Sequence, residues 1–173
     1  MTNNLYRDNI SSALVTTRLK KLCSKAGFKS VHSLVPEEMR GMAKVFLEKF
    51  LERIVIITLY YKKKTITLNN VYQATENYLL LGKKDIPKCK DIDTKIKICL
   101  EFPKAPFKRL IKEILQDLGH SEMKIETRAA DLIQYYTERH LLKALQGAKI
   151  ASTNAKRETL YPRDLKSVEK ILD

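Results

Sequence analysis

The feature that most constrains this chain is a pattern written twice, 94 positions apart. The first copy is Lys62-Lys63-Lys64-Thr65-Ile66-Thr67-Leu68-Asn69-Asn70-Val71. The second is Ala155-Lys156-Arg157-Glu158-Thr159-Leu160-Tyr161-Pro162-Arg163-Asp164-Leu165. Lys156 falls on Lys62, Arg157 on Lys63, Thr159 on Thr65 and Asp164 on Asn70. Each copy puts cations and a threonine ahead of a short extended segment, then starts a helix. A loop of that chemistry reads as a phosphate grip, and its repetition predicts two copies of one small helical unit.

The hydrophobic pattern supplies the rest of each unit. Glycine and proline number five each and tryptophan is absent, which favours long helices over a turn-rich β fold. Residues 1–15 are polar at first and are expected to be irregular. A short basic helix is predicted from about Thr16 to Ala26, with Leu19, Leu22 and Cys23 on one face and Gly27 as a left-handed cap. Ser33 is the expected N-cap of the next helix, with Pro36 in its first turn and Glu37 and Glu38 at the positive end of its dipole. Met42, Phe46, Phe50, Ile54, Ile57 and Tyr61 then recur at helical spacing. At 1.5 Å per residue this helix would be roughly 40 Å long. It is too apolar to stand alone and must be packed on several sides. A short helix comes next, from about Thr67.

Residues 79–103, broken by Gly82, Pro87 and Pro103, read as a connector with a helical turn near Asp93 to Leu100. The plan then repeats over 104–173. A short helix runs from about Lys104 to Leu118, a long one from Thr127 to Ala155, and a last one from Pro162 to Leu172. The organisation is therefore an N-terminal segment (1–15), a first unit (16–78), the connector and a second unit (104–173). Short helix, loop, long helix, loop, short helix leaves almost no core within one unit. Each long helix needs a partner.

The formal net charge is +13, split as +7 over residues 1–82 and +6 over 83–173. A uniformly basic chain repels itself until a polyanion neutralises it, which points first to nucleic acid and second to an anionic membrane surface. With 44% hydrophobic residues the chain can bury a core, so wholesale disorder is excluded. Cys23, Cys89 and Cys99 lack metal-ligand spacing and, without a secretory signal in the first residues, suit a reducing intracellular compartment. The most apolar run, Ile54 to Tyr61, is far too short to span a bilayer. No glycine-rich phosphate loop, nucleophile triad or metal motif is present, so neither an enzyme nor a cofactor is expected. Glu37 and Glu38 are neighbours on a helix and do not face each other, which argues against a catalytic carboxylate pair.

At the level of whole motifs, each half resembles a core histone. Residues 17–78 resemble histone H-four through Glu37-Glu38-Met39-Arg40-Gly41-Met42-Ala43-Lys44-Val45-Phe46-Leu47-Glu48 and Lys63-Lys64-Thr65-Ile66-Thr67. Residues 104–172 resemble histone H-three through Pro106-Phe107-Lys108-Arg109-Leu110-Ile111-Lys112-Glu113-Ile114-Leu115-Gln116-Asp117 and the run from Ala155 to Asp164. Two such signatures in one chain resemble the histone doublets of giant DNA viruses. The resemblance implies an all-α chain of two histone folds clasped head to tail as an intramolecular pair. Fusion would hold each partner at an effective concentration of about millimolar for a short linker.

The resemblance also implies where double-stranded DNA would be held. Loop one of each half should lie beside loop two of the other. Lys29 and Ser30 would then sit near Lys156, Arg157 and Thr159, and Lys124 near Lys62, Lys63, Lys64 and Thr65. The two first helices would supply a third site from Arg18, Lys20, Lys21, Lys25, Lys104, Lys108, Arg109 and Lys112. Such contacts position a duplex without reading its sequence. The chain departs from the family where Ser30 and Lys124 replace arginines that enter the minor groove, which implies a looser grip there. Arg157 and Asp164 match a family pair that ties loop two to the last helix; Lys63 and Asn70 replace it in the first half.

A second copy is expected through the H-three-type half, at Ala151, Asn154, Arg157, Asp164, Ser167 and Val168, although the family has a cysteine and a histidine at the first two. A histone or doublet of H-two-A/H-two-B type is expected through the other half. The implied role is architectural: nucleosome-like wrapping of a viral genome in a host nucleus, viral factory or virion. The alternative is a histone-fold scaffold in a transcription complex, without DNA wrapping. The N-terminal segment is too short and too poor in lysine for a usual histone tail.

Overall fold

A computed structural model describes residues 9–78 and 100–172. The elements are α1 (Thr16–Lys25), β1 (Ser30–Val31), α2 (Val35–Tyr60), β2 (Thr65–Ile66) and α3 (Leu68–Tyr78) in the first half. The second half holds α4 (Lys104–Asp117), β3 (Lys124–Ile125), α5 (Thr127–Asn154), β4 (Thr159–Leu160) and α6 (Pro162–Leu172). These are two histone folds joined in one chain. The expected turn near Asp93 lies outside the described residues up to Leu100, which is not helical.

The two long helices pack against each other and share one core. Met39, Ala43, Leu47, Phe50, Leu51 and Ile54 of α2 are sealed from solvent, as are Ala129, Leu132, Ile133, Ala144, Leu145 and Ala148 of α5. Phe46 and His140, equivalent positions of the repeat, stack with ring centroids 4.3 Å apart. A side chain meets its own counterpart only on a local two-fold axis, so the helices cross there. Phe50 meets Tyr136 edge-on at 6.0 Å beside it.

Four helices end in the same way. Gly27, Lys62, Gly119 and Lys156 have left-handed backbones, with φ of 91°, 54°, 81° and 55°. In each case the next two amides turn back onto the last helical turn. Lys62 N–H donates to the Leu59 carbonyl at 2.8 Å and Lys63 N–H to Thr58 at 3.1 Å. Lys156 N–H donates to Thr153 and Arg157 N–H to Ser152, both at 2.9 Å. Such caps satisfy orphan carbonyls and reverse the chain. Glycine adopts this backbone freely, whereas a lysine there carries steric strain.

After each cap the chain is extended for two residues and pairs with the other half. β1 runs parallel to β4, with Ser30 opposite Thr159 and Val31 opposite Leu160. β2 runs parallel to β3, with Thr65 opposite Lys124 and Ile66 opposite Ile125. Loop one of each half thus lies beside loop two of the other.

Two local expectations are corrected. The segment before α1 is not irregular throughout: residues 9–13 are helical, and Ala13 and Leu14 are fully buried. Arg40 holds this segment, donating to the Leu14 carbonyl at 3.0 Å and to Thr16 Oγ1 at 2.7 Å. Ser33 does not cap α2; the N-cap is Leu34, whose amide donates to His32 Nδ1 at 3.3 Å. The end of the connector is part of the core, with Glu101 and Phe102 both buried. Cys23 is buried against Met39, with the sulfurs 3.6 Å apart, and burial pushes its thiol up to about 11. That is the behaviour of a packing residue.

Candidate nucleic-acid interface

Two polar edges lie at the two loop pairs. The first joins β1 and β4 and carries Lys29, Ser30, Lys156, Arg157 and Thr159. Lys29 crosses it to Glu158 at 3.4 Å, an exposed pair that screens one of the cations. The second joins β2 and β3 and carries Lys62, Lys63, Lys64, Thr65 and Lys124, all exposed. Among the described residues, Lys62, Lys63, Lys64, Lys124 and Lys156 form no ion pair. Register brings these groups together: Lys124 N–H donates to the Lys64 carbonyl at 3.0 Å, pinning the two lysine-bearing backbones side by side.

The exits of the two long helices are held differently. Asp164 is the third residue of α6 and reaches back to the Tyr161 amide at 3.0 Å. The same carboxylate takes a two-pronged contact from Arg157, at 2.8 and 3.2 Å. Burial of Asp164 works against its charge, but Arg157 and the Tyr161 amide outweigh it and hold the carboxyl below its usual range. Arg157 is raised in turn, chiefly by its hydrogen bonds to Asp164. Arg157 and Arg163 both lie over the Tyr161 ring, at 5.3 and 5.2 Å, and His32 packs on that ring at 5.4 Å. In the first half Asn70 makes the same reach, accepting from the Thr67 amide at 3.1 Å and from the Thr67 hydroxyl. Lys63 is exposed and takes no part.

The first helices depart most from a simple cationic site. Arg18, Lys21 and Lys25 fall on one face of α1 and converge on Glu101, just ahead of α4. Lys21 is 2.9 Å from its carboxylate, Lys25 bonds the other oxygen, and Arg18 is 4.0 Å away. Burial pushes the Glu101 carboxyl up, yet the hydrogen bonds and charges of Lys25 and Lys21 bring it below its usual value. Lys104 pairs with Asp131 at 2.9 Å and Lys108 reaches Thr127 Oγ1 at 3.2 Å. Lys20, Arg109 and Lys112 are exposed and carry no ion pair among the described residues.

Glu101, Glu138 and Gln134 escaped the sequence reading. Glu138, on α5, accepts the Glu101 amide on both oxygens at 3.0 and 2.9 Å, and the Phe102 amide at 3.0 Å. Gln134, one turn earlier, donates to the Phe102 carbonyl at 2.7 Å and to Glu138 at 3.1 Å. Burial pushes the Glu138 carboxyl up against these donors. The available signal was the spacing of four between Gln134 and Glu138, which puts them one turn apart among the buried Ile133, Tyr136 and Thr137.

Of the expected two-fold residues, Asp164 and Val168 turn into the chain itself. Val168 abuts Gly147, where a Cβ would come within 3.0 Å of its methyl group. Ala151 is half-buried and Arg157 is engaged by Asp164, while Asn154 and Ser167 are exposed. Exposed apolar side chains on these helices are Ile150 and Ile171; in the first half Ile56, Leu59, Tyr60 and Tyr61 are exposed at the end of α2. Among the described residues no His, Cys, Asp or Glu cluster could hold a metal, and no helix is long and apolar enough to cross a membrane.

This geometry coincides with known proteins. The model of the core histone domain, the one shared by histones H-two-A, H-two-B, H-three and H-four, matches residues 85–171, half of the chain. The crystal structure of the histone from Methanopyrus kandleri is similar in fold, with a TM-score of 0.65 and 14% identity. That match covers 90% of this chain and 92% of the other, so it takes in both halves. Proteins of the histone fold bind DNA, dimerise with histone-fold partners and act structurally rather than as enzymes. The chain belongs to the core histone family.

Proposed function

We propose that the chain is a histone doublet that wraps double-stranded DNA without sequence specificity into nucleosome-like particles, and that the DNA is a viral genome. The observation that carries this reading is the pair of parallel loop contacts at β1–β4 and β2–β3. Each follows a long helix that ends in a strained lysine, which has no ion pair among the described residues, with a threonine close behind. Backbone amides, hydroxyls and cations gathered in this way suit phosphates, and nothing in either edge reads bases. Strain kept at both loops, where glycine would relieve it, fits a functional demand on the side chain.

Assembly follows from the exposed apolar side chains. A second copy would cover Ile150 and Ile171 with Ala151, Asn154 and Ser167. An H-two-A/H-two-B-type histone or doublet would cover Ile56, Leu59, Tyr60 and Tyr61. Nuclease digestion of plain duplex saturated with the protein tests the function. A ladder of protected fragments is expected; smooth digestion would favour a protein-interaction scaffold instead.

A further inference from the structure

We propose that Glu101 fills an anion socket on α1 and so withholds Arg18, Lys21 and Lys25 from DNA. The inference rests on the DNA-binding reading and sharpens it. The three cations sit at i, i+3 and i+7 of α1, one above another on a single face. About half of each side chain is exposed, whereas Glu101 at the bottom of the socket is 8% exposed. The mouth faces solvent and the base is already occupied by an anion.

The occupant is fixed by its backbone. Glu101 N–H is shared between both oxygens of Glu138, Phe102 N–H goes to the same carboxylate, and Gln134 holds the Phe102 carbonyl. The Phe102 ring is buried and lies parallel to Phe107, 6.5 Å between centroids. Four hydrogen bonds and a buried ring therefore keep the carboxylate in place while both oxygens face the cations. A carboxylate and a phosphate ester oxygen draw the same charge-assisted bonds. A phosphate approaching the socket would compete for donors already engaged and meet a fixed negative charge. Among the described residues, Lys62, Lys63, Lys64, Lys124 and Lys156 of the loop edges face no such competitor, and Lys29 meets only the exposed Glu158.

The test is duplex affinity measured across a salt series for the full chain and its variants. Glu101→Gln keeps the shape and removes the charge. The logarithmic salt slope should steepen by about 0.9 for each phosphate contact regained, up to roughly three, which is about eightfold tighter binding per contact near 0.1 M salt. Lys21→Ala alone should leave the wild-type slope unchanged, while Lys63→Ala should flatten it by about 0.9. In a Lys21→Ala/Lys25→Ala background, Glu101→Gln should bring no more than the gain of a single contact through Arg18. An unchanged slope for Glu101→Gln overturns the socket, and so does a full gain that persists without the two lysines, since that reflects bulk charge alone. A melting curve checks that Glu101→Gln folds; if it does not, Lys21→Ala decides, because a flattened slope there means Lys21 already holds DNA. Wild-type protein without salt-dependent duplex binding would remove both this inference and the reading beneath it.

Discussion

The two long helices end in the same backbone turn but tether the next helix with different chemistry. After α5, Asp164 binds both the Tyr161 amide and the Arg157 guanidinium. After α2, Asn70 binds the amide and hydroxyl of Thr67, and Lys63 is left to solvent. The polar residue at the third helical position closes the helix start in both halves. Only the acid recruits a cation from the loop as well. One edge thus commits its central cation to its own architecture, and the other keeps it available to a ligand.

The largest effect expected from breaking this difference is on stability. Asp164→Ala should cost about 2 kcal/mol, because it removes a charge-assisted contact and leaves the Tyr161 amide without its acceptor. Asn70→Ala should cost about 1 kcal/mol, the usual value of a lost helix cap. Urea unfolding without DNA measures both, and equal costs would erase the distinction. The acid limb sharpens it. The folded carboxyl of Asp164 is depressed, so its stabilisation is complete above the ordinary aspartate value near 4 and fades as pH falls through the folded value. The extra sensitivity of wild type to acid should disappear in Asp164→Ala and persist in Asn70→Ala.

A middling effect is expected on DNA. Lys63→Ala should weaken duplex binding about eightfold near 0.1 M salt, the worth of one phosphate contact. Arg157→Ala should flatten the salt slope by much less than about 0.9, since the guanidinium is already committed to Asp164. Matching slopes for the two variants would mean that the tie does not withhold Arg157.

The smallest effect concerns the turns themselves. Lys62→Gly and Lys156→Gly each relieve a left-handed backbone and should stabilise the protein by up to about 1 kcal/mol. Equal gains in thermal unfolding are expected, because the strain belongs to the backbone and not to the tether. A gain confined to Lys62 would show that the Arg157–Asp164 tie already pins the second turn.

Much of the fold was legible because its signals are local or repeated. The alternation of short and long helices follows from apolar spacing, and the 94-residue echo alone aligns Asp164 with Asn70. The pairing of Ser30 with Thr159 was not legible from residues alone; two-residue strands carry no periodic signal, and the family resemblance supplied it. Glu101 was hidden for another reason. A glutamate in a lysine-rich connector reads as a solvated charge, and only the approach of Glu138, 37 residues away, buries it. Ala13 and Leu14 are too short an apolar run to announce a packed turn. The N-cap falls one residue after Ser33, at Leu34, and no side chain caps the helix; the Leu34 amide is taken up by the His32 ring nitrogen instead.

The parallel pairing of β1 with β4 and of β2 with β3 also sets an order on the making of the protein. On a ribosome the whole first unit emerges before its partners exist. Ser30 waits for Thr159 and Thr65 for Lys124, while the apolar face of α2 waits for α5. At about 5–20 residues per second, the interval between completing β2 and completing β4 is roughly 5–20 s. During it the most apolar helix of the chain has only the short helices of its own unit to pack against and lacks α5, with which it shares its core. The nascent first unit should therefore depend on chaperone shelter until the second unit has been synthesised.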